Sequence, residues 1–453
     1  MSKITALRTR RVWDSRGRPT VEVEVMLDCG VWGRAIAPAG ASRGLHEAVE
    51  LRDGTAQLGG LDIQKALTGI KQEIGPLLIG LDARDQETID RKMIQLDGTP
   101  NKSRLGGNAL VATSMAVLHA AAASAQMPLW KYLAGDGTPS LPLPQIQIFG
   151  GGAHAASRID IQDLMVIAVG AHSFQESLLI TSEVYRCAGE LLRSRGILAG
   201  VADEGGWWPA FDSNEQALTM LLRAIEKAGY IPGQDVSIAL DIAASELGSK
   251  GTYHLLLDKA ELDTDGMCEY LLRWLERYPI VSIEDPLAED DEAGWIAFMR
   301  AAGSRIQVVG DDYLVTSAAK IRGAATKGAC NAALIKPNQV GTITETRDAL
   351  KSAKSSGFAT IVSARSGESE DTTIVHLATG LNAGQLKVGS FARSERMAKW
   401  NEGIRIETNP GKVPPFAGAA VLAGYPRTHS AAGSIDVQQA GNGDRPLHRD
   451  ARK

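Results

Sequence analysis

The sequence predicts an α/β protein in which a smaller α+β region precedes a (β/α) barrel. Residues 21–25, VEVEV, alternate strictly between apolar and charged side chains, which is typical of a strand with one exposed face. From about residue 145 to 425, short β-rich runs instead alternate with helix-forming segments, which favours parallel strands with crossover helices. The 48 glycines among 453 residues suit the many tight turns that such a fold requires.

The N-terminal α+β domain is predicted to span residues 1–138. The VEVEV strand follows a Gly-Arg-Pro turn and is interpreted as an antiparallel strand, and two further short strands are expected near 4–12 and 31–37. Helical patterns follow at 60–79, 84–94 and 106–126. The segment SLPLP (140–144) is interpreted as a linker.

The catalytic barrel is predicted to span residues 139–426, with a flexible tail at 427–453 because that segment is rich in Gly, Ser, Gln and charge. Six candidate barrel strands are VSIAL (236–240), IVSI (280–283), IQVV (306–309), AALI (332–335), ATIV (359–362) and QLKV (385–388). So many β-rich runs separated by helices indicate a barrel.

The charge, the cysteines and the apolar segments indicate which binding partners and which cellular compartment to expect. With 48 basic and 53 acidic residues the net charge is −5, so neither nucleic acid nor an anionic membrane is expected as a partner. The four cysteines show no CxxC spacing, and the first residues, MSKITALRTRR, have no apolar core of signal-peptide length. The most apolar stretch, 109–125, is too short and too polar to cross a membrane. A cytoplasmic protein is expected.

Charged residues follow the predicted strands at the end where barrel enzymes carry their chemistry. Three are acids, Asp241, Glu284 and Asp311, which together would form an oxygen-rich site suited to Mg²⁺. Any one of them could equally be a helix N-cap, but three in successive units favour the metal site. Lys336 and Lys387 lie at the same mouth, and a lysine near cations and shielded from water can have a lowered pKa and act as a base.

Eight segments in order carry a family resemblance. They are DSRGRPTVEVEV (14–25), GASRGLHEA (40–48), NKSRLGGNA (101–109), DEGG (203–206), SIEDPLAEDD (282–291), LIKPNQVGT (334–342), RSGESEDT (365–372) and RSER (393–396). Through them the chain resembles the enolase (phosphopyruvate hydratase) family over about residues 3–425. The resemblance implies a modified eight-stranded TIM-like barrel and a homodimer or higher homo-oligomer. It further implies a Mg²⁺-dependent lyase that dehydrates 2-phospho-D-glycerate, a small phosphorylated carboxylate, to phosphoenolpyruvate.

The resemblance also implies roles for individual residues. Asp241, Glu284 and Asp311 match the ligands of a first Mg²⁺, and Ser42 matches a ligand of a second Mg²⁺ that arrives with substrate. Lys336 matches the base, Glu204 the general acid, and His154 a histidine on a closing loop. Lys387 matches the lysine that holds the substrate carboxylate, Arg365 and Ser366 match the phosphate-binding pair, and Gln162 is a neighbour in the site.

Several residues depart from the family pattern within the predicted site. Four are smaller than usual: Ala364 replaces histidine, Asp163 glutamate, Gly150 asparagine and Ala39 serine. Arg43 stands in place of threonine, and Arg158 and the Trp207-Trp208 pair are atypical. Asp163 is expected to share in catalysis, and Ala364 and Arg43 are expected to contact substrate.

The departures leave three hypotheses open. The chain is a working enolase that tolerates neutral drift, or it is a paralogue that handles a larger anionic substrate. The second hypothesis has a precedent in the carboxyphosphonoenolpyruvate synthase of phosphonate metabolism. The third is a non-catalytic binding protein on the same fold. It is disfavoured because a scaffold has no physical need for so many converging charges.

Overall fold

The computed structural model describes residues 2–41 and 43–425. Ser42, and with it the predicted ligand of a second Mg²⁺, lies outside the described residues, as does the predicted tail at 427–453. The strands are β1 (Ile4–Trp13), β2 (Pro19–Leu27), β3 (Trp32–Ile36), β4 (Leu143–Gly150), β5 (Asp163–Ile167), β6 (Leu198–Val201), β7 (Trp207–Pro209), β8 (Ser237–Asp241), β9 (Gly248–Ser249), β10 (Thr252–Leu255), β11 (Ala260–Asp263), β12 (Ile280–Glu284), β13 (Gln307–Gly310), β14 (Ala332–Ile335), β15 (Ala359–Ser363) and β16 (Gly384–Gly389).

The α-helices fall between these strands in chain order. They are α1 (Gln64–Gly69), α2 (Gly75–Leu78), α3 (Gln86–Asp97), α4 (Gly107–Ser124), α5 (Leu129–Ala134), α6 (Phe174–Ser194), α7 (Asn214–Lys227), α8 (Thr264–Arg277), α9 (Glu292–Ala302), α10 (Ala318–Lys327), α11 (Pro337–Val340), α12 (Ile343–Ser355), α13 (Thr373–Gly380) and α14 (Ser394–Glu407). A π-helical turn joins α1 to α2. Within the described residues, no helix is long and apolar enough to cross a membrane.

The first three strands form an antiparallel sheet in the order β1-β2-β3, and the antiparallel strand predicted at 21–25 lies at its centre. The valines of β2 point into a core that the Ala-rich helix α4 covers. The helix approaches so closely that a Cβ atom on Gly33 would lie 2.1 Å from the backbone nitrogen of Ala120. Glycine on the sheet and alanine on the helix therefore allow the two backbones to touch.

Eight strands close into a barrel: β4, β5, β8, β12, β13, β14, β15 and β16, with β16 pairing back onto β4. All neighbours are parallel except β5, which runs antiparallel to both β4 and β8. The six predicted barrel strands are confirmed. The first two strands of the barrel, β4 and β5, are not among the predicted ones. The interpretation of 140–144 as a linker is wrong in part, because β4 begins at Leu143. Its inward-facing Gln145 and Gln147 interrupt the apolar run that would have identified it.

The reversed strand determines what reaches the barrel mouth, defined here as the carboxyl end of the parallel strands. Because β5 runs away from the mouth, the loop 151–162 before it lies at the mouth. The two helices that follow, α6 and α7, are therefore joined at the mouth as well. That connection contains the β6–β7 hairpin, which pairs with β4 through Phe149 and Trp207.

Buried polar contacts join the N-terminal domain to the barrel. The Asp90 carboxylate accepts hydrogen bonds from the backbone N–H and hydroxyl of Thr344, at 2.9 and 2.7 Å. The Ser114 hydroxyl accepts from the backbone N–H of Ile343 at 2.9 Å. Lys102 forms an ion pair with Glu345. These contacts hold α3, α4 and Lys102 against the start of α12. The segment after β3 makes its own contact with the barrel, since the Ala48 N–H donates to the Gln339 carbonyl at 2.7 Å.

Candidate active site

Most of the predicted site residues line a cleft of about 310 Å³ at the barrel mouth. Its described lining comprises Gln162, Asp163, Glu204, Asp241, Lys336, Ser363, Ala364, Arg365, Ser366, Lys387 and Val388. Asp163 reaches the mouth although it is the first residue of its strand, because β5 is reversed and places Asp163 opposite Asp241. The predicted acids and both lysines therefore converge as the strand-end argument required.

Lys387 lies among three carboxylates. Its Nζ atom is 2.7 Å from Asp241, 2.9 Å from Glu284 and 3.1 Å from Asp163. Burial alone would lower the pKa of Lys387, but these carboxylates and Glu204 hold the pKa well above its ordinary value. Lys387 therefore remains a cation and suits a role in binding an anionic group.

Lys336 forms an ion pair with Asp311, whose other carboxylate oxygen accepts a hydrogen bond from the Gln339 amide at 2.8 Å. Burial lowers the pKa of Lys336, but the facing Asp311 outweighs this effect and raises the pKa above its ordinary value. Burial likewise raises the pKa of Asp311, while Lys336 and Arg365 bring it below its usual range. In the chain without a bound cation, the pKa of Lys336 is therefore raised and not lowered as expected, because Asp311 stabilises the ammonium form.

The carboxylates of Asp241, Glu284 and Asp311 fit a hard divalent cation. Burial and the neighbouring Asp241 raise the pKa of Glu284 well above its usual range, so negative charge there is not fully balanced by the lysines. Its Oε1 atom is buried and has no hydrogen-bond partner among the described residues. An unpartnered carboxylate oxygen beside two more carboxylates is the donor set that Mg²⁺ favours.

Among the described residues, the acids whose oxygens lie within 4.8 Å of one another are Asp285, Asp311 and Asp312, a set that includes only Asp311 of the three predicted ligands. Asp285, however, accepts backbone N–H bonds from Asp311 at 2.8 Å and from Asp312 at 2.9 Å. It thereby fixes the turn after β13, which carries Asp311. Asp285 therefore holds the backbone that carries Asp311, a predicted ligand, in place.

Arg365 and Ser366 follow β15 and are buried in the cleft. Glu47 from the N-terminal domain accepts two hydrogen bonds from the Arg365 guanidinium, at 2.9 and 3.3 Å. Arg396 donates to the backbone carbonyls of Arg365 and Ser366, at 2.7 and 2.6 Å. The predicted phosphate-binding pair is thus held in place by residues from both domains.

Glu204 lies in the turn between β6 and β7, and its side chain is buried. The turn requires both of its glycines: Gly205 has φ +93°, and a Cβ atom there would lie 2.3 Å from the Ala392 carbonyl. A Cβ atom on Gly206 would lie 2.4 Å from the Gln147 side-chain oxygen. The Glu204 carbonyl accepts the Ser390 N–H at 2.9 Å, which ties the turn to the end of β16.

The unusually small residues differ in their effect on the cleft. The Ala364 methyl group lines it, so a larger side chain there would fill space next to Arg365. Gly150 opens no space, since a Cβ atom there would lie 2.5 Å from the Cβ atom of Ala202. Ala39 forms a backbone bridge to Gly367 and is buried outside the described cleft lining.

Of the predicted site residues on the loops, Arg43 is described and does not line the cleft. Arg43 is half-exposed, lies 3.8 Å from Glu50 and lines a separate cavity of about 270 Å³. His154 belongs to the short helix Gly152–Ala155, but its side chain lies outside what the structure describes, as Ser42 does entirely.

Gln162 donates to Asp241 at 3.1 Å, as expected of a site neighbour.

Four residues that support the site have no role predicted from the sequence: Glu47, Gln147, Gln339 and Arg396. Glu47 and Arg396 stand in the segments GLHEA and RSER, so their position in those motifs was the available signal. Gln339 likewise stands in the segment LIKPNQVGT. Gln147 lies in none of the eight segments, and a buried glutamine outside them is recognised only when its partners are known.

Comparisons with known proteins agree with this geometry. The family model for the enolase N-terminal domain matches residues 4–133, and that for the enolase C-terminal TIM barrel domain matches residues 138–424. The chain is 48% identical over 424 residues to "Enolase 1" of Desulfitobacterium hafniense (strain Y51), covering 93% of this chain and 97% of that protein. The predicted family, fold and enzyme class are confirmed: the chain belongs to the enolase family of lyases.

Proposed function

We propose that this chain catalyses the Mg²⁺-dependent dehydration of 2-phospho-D-glycerate to phosphoenolpyruvate. The observation that supports this most directly is the union, in one cleft, of Lys336, Lys387, Glu204, Arg365 and three acids. A lysine base together with Mg²⁺ is the general pattern of enolase-superfamily sites, a precedent rather than a deduction from this chain. A cytoplasmic homo-oligomer is part of the same proposal.

The chain's residues would divide the work as follows. Arg365 and Ser366 bind the phosphate, and Lys387 neutralises the substrate carboxylate. Lys336 removes the proton next to that carboxylate, for which it must first be neutral. Glu204, on the turn before β7, protonates the departing hydroxyl group. This assignment places the base and the acid on separate segments that line the same cleft.

Asp241, Glu284 and Asp311 would hold Mg²⁺. When bound, the ion supplies positive charge that stabilises a carboxylate-derived anion and offsets the charge of Asp311 beside Lys336. Removing divalent ions with a chelator should reduce turnover to the uncatalysed background, and added Mg²⁺ should restore it. A chelated enzyme that retains full turnover would contradict the metal requirement.

A second candidate is an enolisation reaction on a larger anionic substrate, of the carboxyphosphonoenolpyruvate synthase type. The observation in its favour is that a residue as small as Ala364 lines the cleft next to the proposed phosphate-binding pair. Gly150 gives it no support, because Ala202 occupies that space. The substitution Ala364→His should increase turnover of 2-phosphoglycerate if the missing histidine limits it, and should leave turnover unchanged under neutral drift.

The deciding experiment follows 2-phosphoglycerate with Mg²⁺ by phosphoenolpyruvate absorbance and, in parallel, by exchange of the α-proton in D₂O. Rapid turnover supports the proposed dehydration. Exchange without turnover would favour the second candidate, since proton abstraction would then be intact while loss of hydroxide is not. Absence of both reactions would overturn the proposal.

A further inference from the structure

We propose that Gln147 is a positioning residue for the acid half of the site, defined as Asp163 and the Glu204 turn. Its side chain is long enough to reach the short Asp163 side chain, and its amide forms hydrogen bonds with both the Asp163 carboxylate and the Glu204 turn. The catalytic consequence rests on the proposed function, whereas the pairing itself does not.

Both ends of the Gln147 amide are used. Its Nε2 atom donates to Asp163 Oδ1, and its Oε1 atom accepts the backbone N–H of Gly206 at 2.8 Å. Gln147 and Asp163 are each only 1% exposed, so water cannot readily replace either contact. Glycine at 206 permits the approach, since a Cβ atom there would lie 2.4 Å from Gln147 Oε1.

The bridge extends to the charged centre of the cleft. While Oδ1 of Asp163 accepts from Gln147, Oδ2 lies 3.1 Å from Lys387 Nζ. Gln147 therefore fixes which carboxylate oxygen faces Lys387. It also holds the backbone two residues beyond Glu204, so one side chain positions both groups.

The two side chains are matched in length. Asp163 is one methylene shorter than the glutamate usual in the family, and the glutamine amide reaches it. A longer residue at 163 would run into this amide, while a shorter residue at 147 would leave Asp163 without its donor. Shortening residue 147 and lengthening residue 163 in the same variant should therefore preserve the hydrogen bond between them.

The test compares Gln147→Asn, Asp163→Glu and the double variant with the wild-type chain. Each single variant should lower the melting temperature and slow elimination by about 10–100-fold, with α-proton exchange within about threefold of wild type. The double variant should recover elimination to within about threefold of wild type. Its loss of melting temperature should be smaller than the sum of the losses in the two single variants.

Gln145→Asn is the matched control. Gln145 lies on the same strand, is also buried and donates to Gln385 at 2.8 Å, away from the acid half. This variant should lose stability while keeping the ratio of elimination to exchange. Additive melting temperatures in the double variant, or a Gln147→Asn variant that eliminates at the wild-type rate, would overturn the proposal. A wild-type chain inactive on 2-phosphoglycerate would refute only the proposed function, because the coupling of melting temperatures still decides the pairing.

Discussion

Lys336 and Glu204 carry the two proton transfers of the proposed reaction, and single substitutions should separate them. Lys336→Ala should slow exchange of the substrate α-proton with solvent deuterium by about 10³-fold, because no other described lysine of the cleft is free of a binding role. Glu204→Gln should retain exchange and slow elimination by a similar factor. Both rates can be followed by proton NMR and phosphoenolpyruvate absorbance.

The control at this scale is Lys327→Ala, which removes a half-exposed lysine paired with Glu292 on the surface. It should leave both rates unchanged. Full exchange in Lys336→Ala would show that another group is the base.

At the scale of elements, β4 and the β6–β7 hairpin meet so closely that residue 150 has no room for a side chain. Gly150→Asn should lower the free energy of unfolding by about 1–3 kcal/mol through overpacking against Ala202. Adding Ala202→Gly should recover most of this loss. Chemical denaturation of the two variants measures both effects.

Gly323→Asn, in helix α10, is the control because nothing lies within 4 Å of a Cβ atom there. It should be neutral or slightly stabilising. If Ala202→Gly brings no recovery in the Gly150 variant, the two residues are not sterically coupled.

At the scale of the whole molecule, the contact between the domains should depend on pH through Asp90. Burial raises the pKa of Asp90 to about 6, although hydrogen bonds from Thr344 and Ser114 act to lower it. The folded state therefore binds a proton more tightly than the unfolded state, whose aspartate pKa is about 4. The contribution of Asp90 to stability is complete below pH about 4 and falls as pH rises towards 6, by up to about 3 kcal/mol.

Asp90→Asn keeps the size of the side chain and removes its titration. The difference in unfolding free energy between wild type and this variant should decrease from pH 4 to 6 and be constant above pH 7. A difference that is flat, or that increases over this range, would refute the assigned pKa.

The positions of the three acids and Lys336 could be predicted from the sequence better than those of the acid half. Asp241, Glu284, Asp311 and Lys336 end or follow apolar parallel strands, so their convergence could be inferred from order alone. Asp163 begins a reversed strand, and the glutamines of β4 conceal that strand's barrel role. Glu47 reaches Arg365 across more than 300 residues of chain, and the Gly150–Ala202 contact appears only after folding.

The reversed strand β5 has a consequence for how this fold can diverge. The three acids proposed to hold Mg²⁺ and both lysines end, follow or lie in the repeating parallel strands of the barrel. Glu204, His154 and Asp163 come from one continuous stretch of chain, between the end of β4 and the start of α7. Substitutions or insertions in that single stretch could alter the proposed protonation of the leaving group without changing the residues proposed to remove the α-proton. Gly150, Asp163, Arg158 and the Trp207-Trp208 pair all fall within it or at its border.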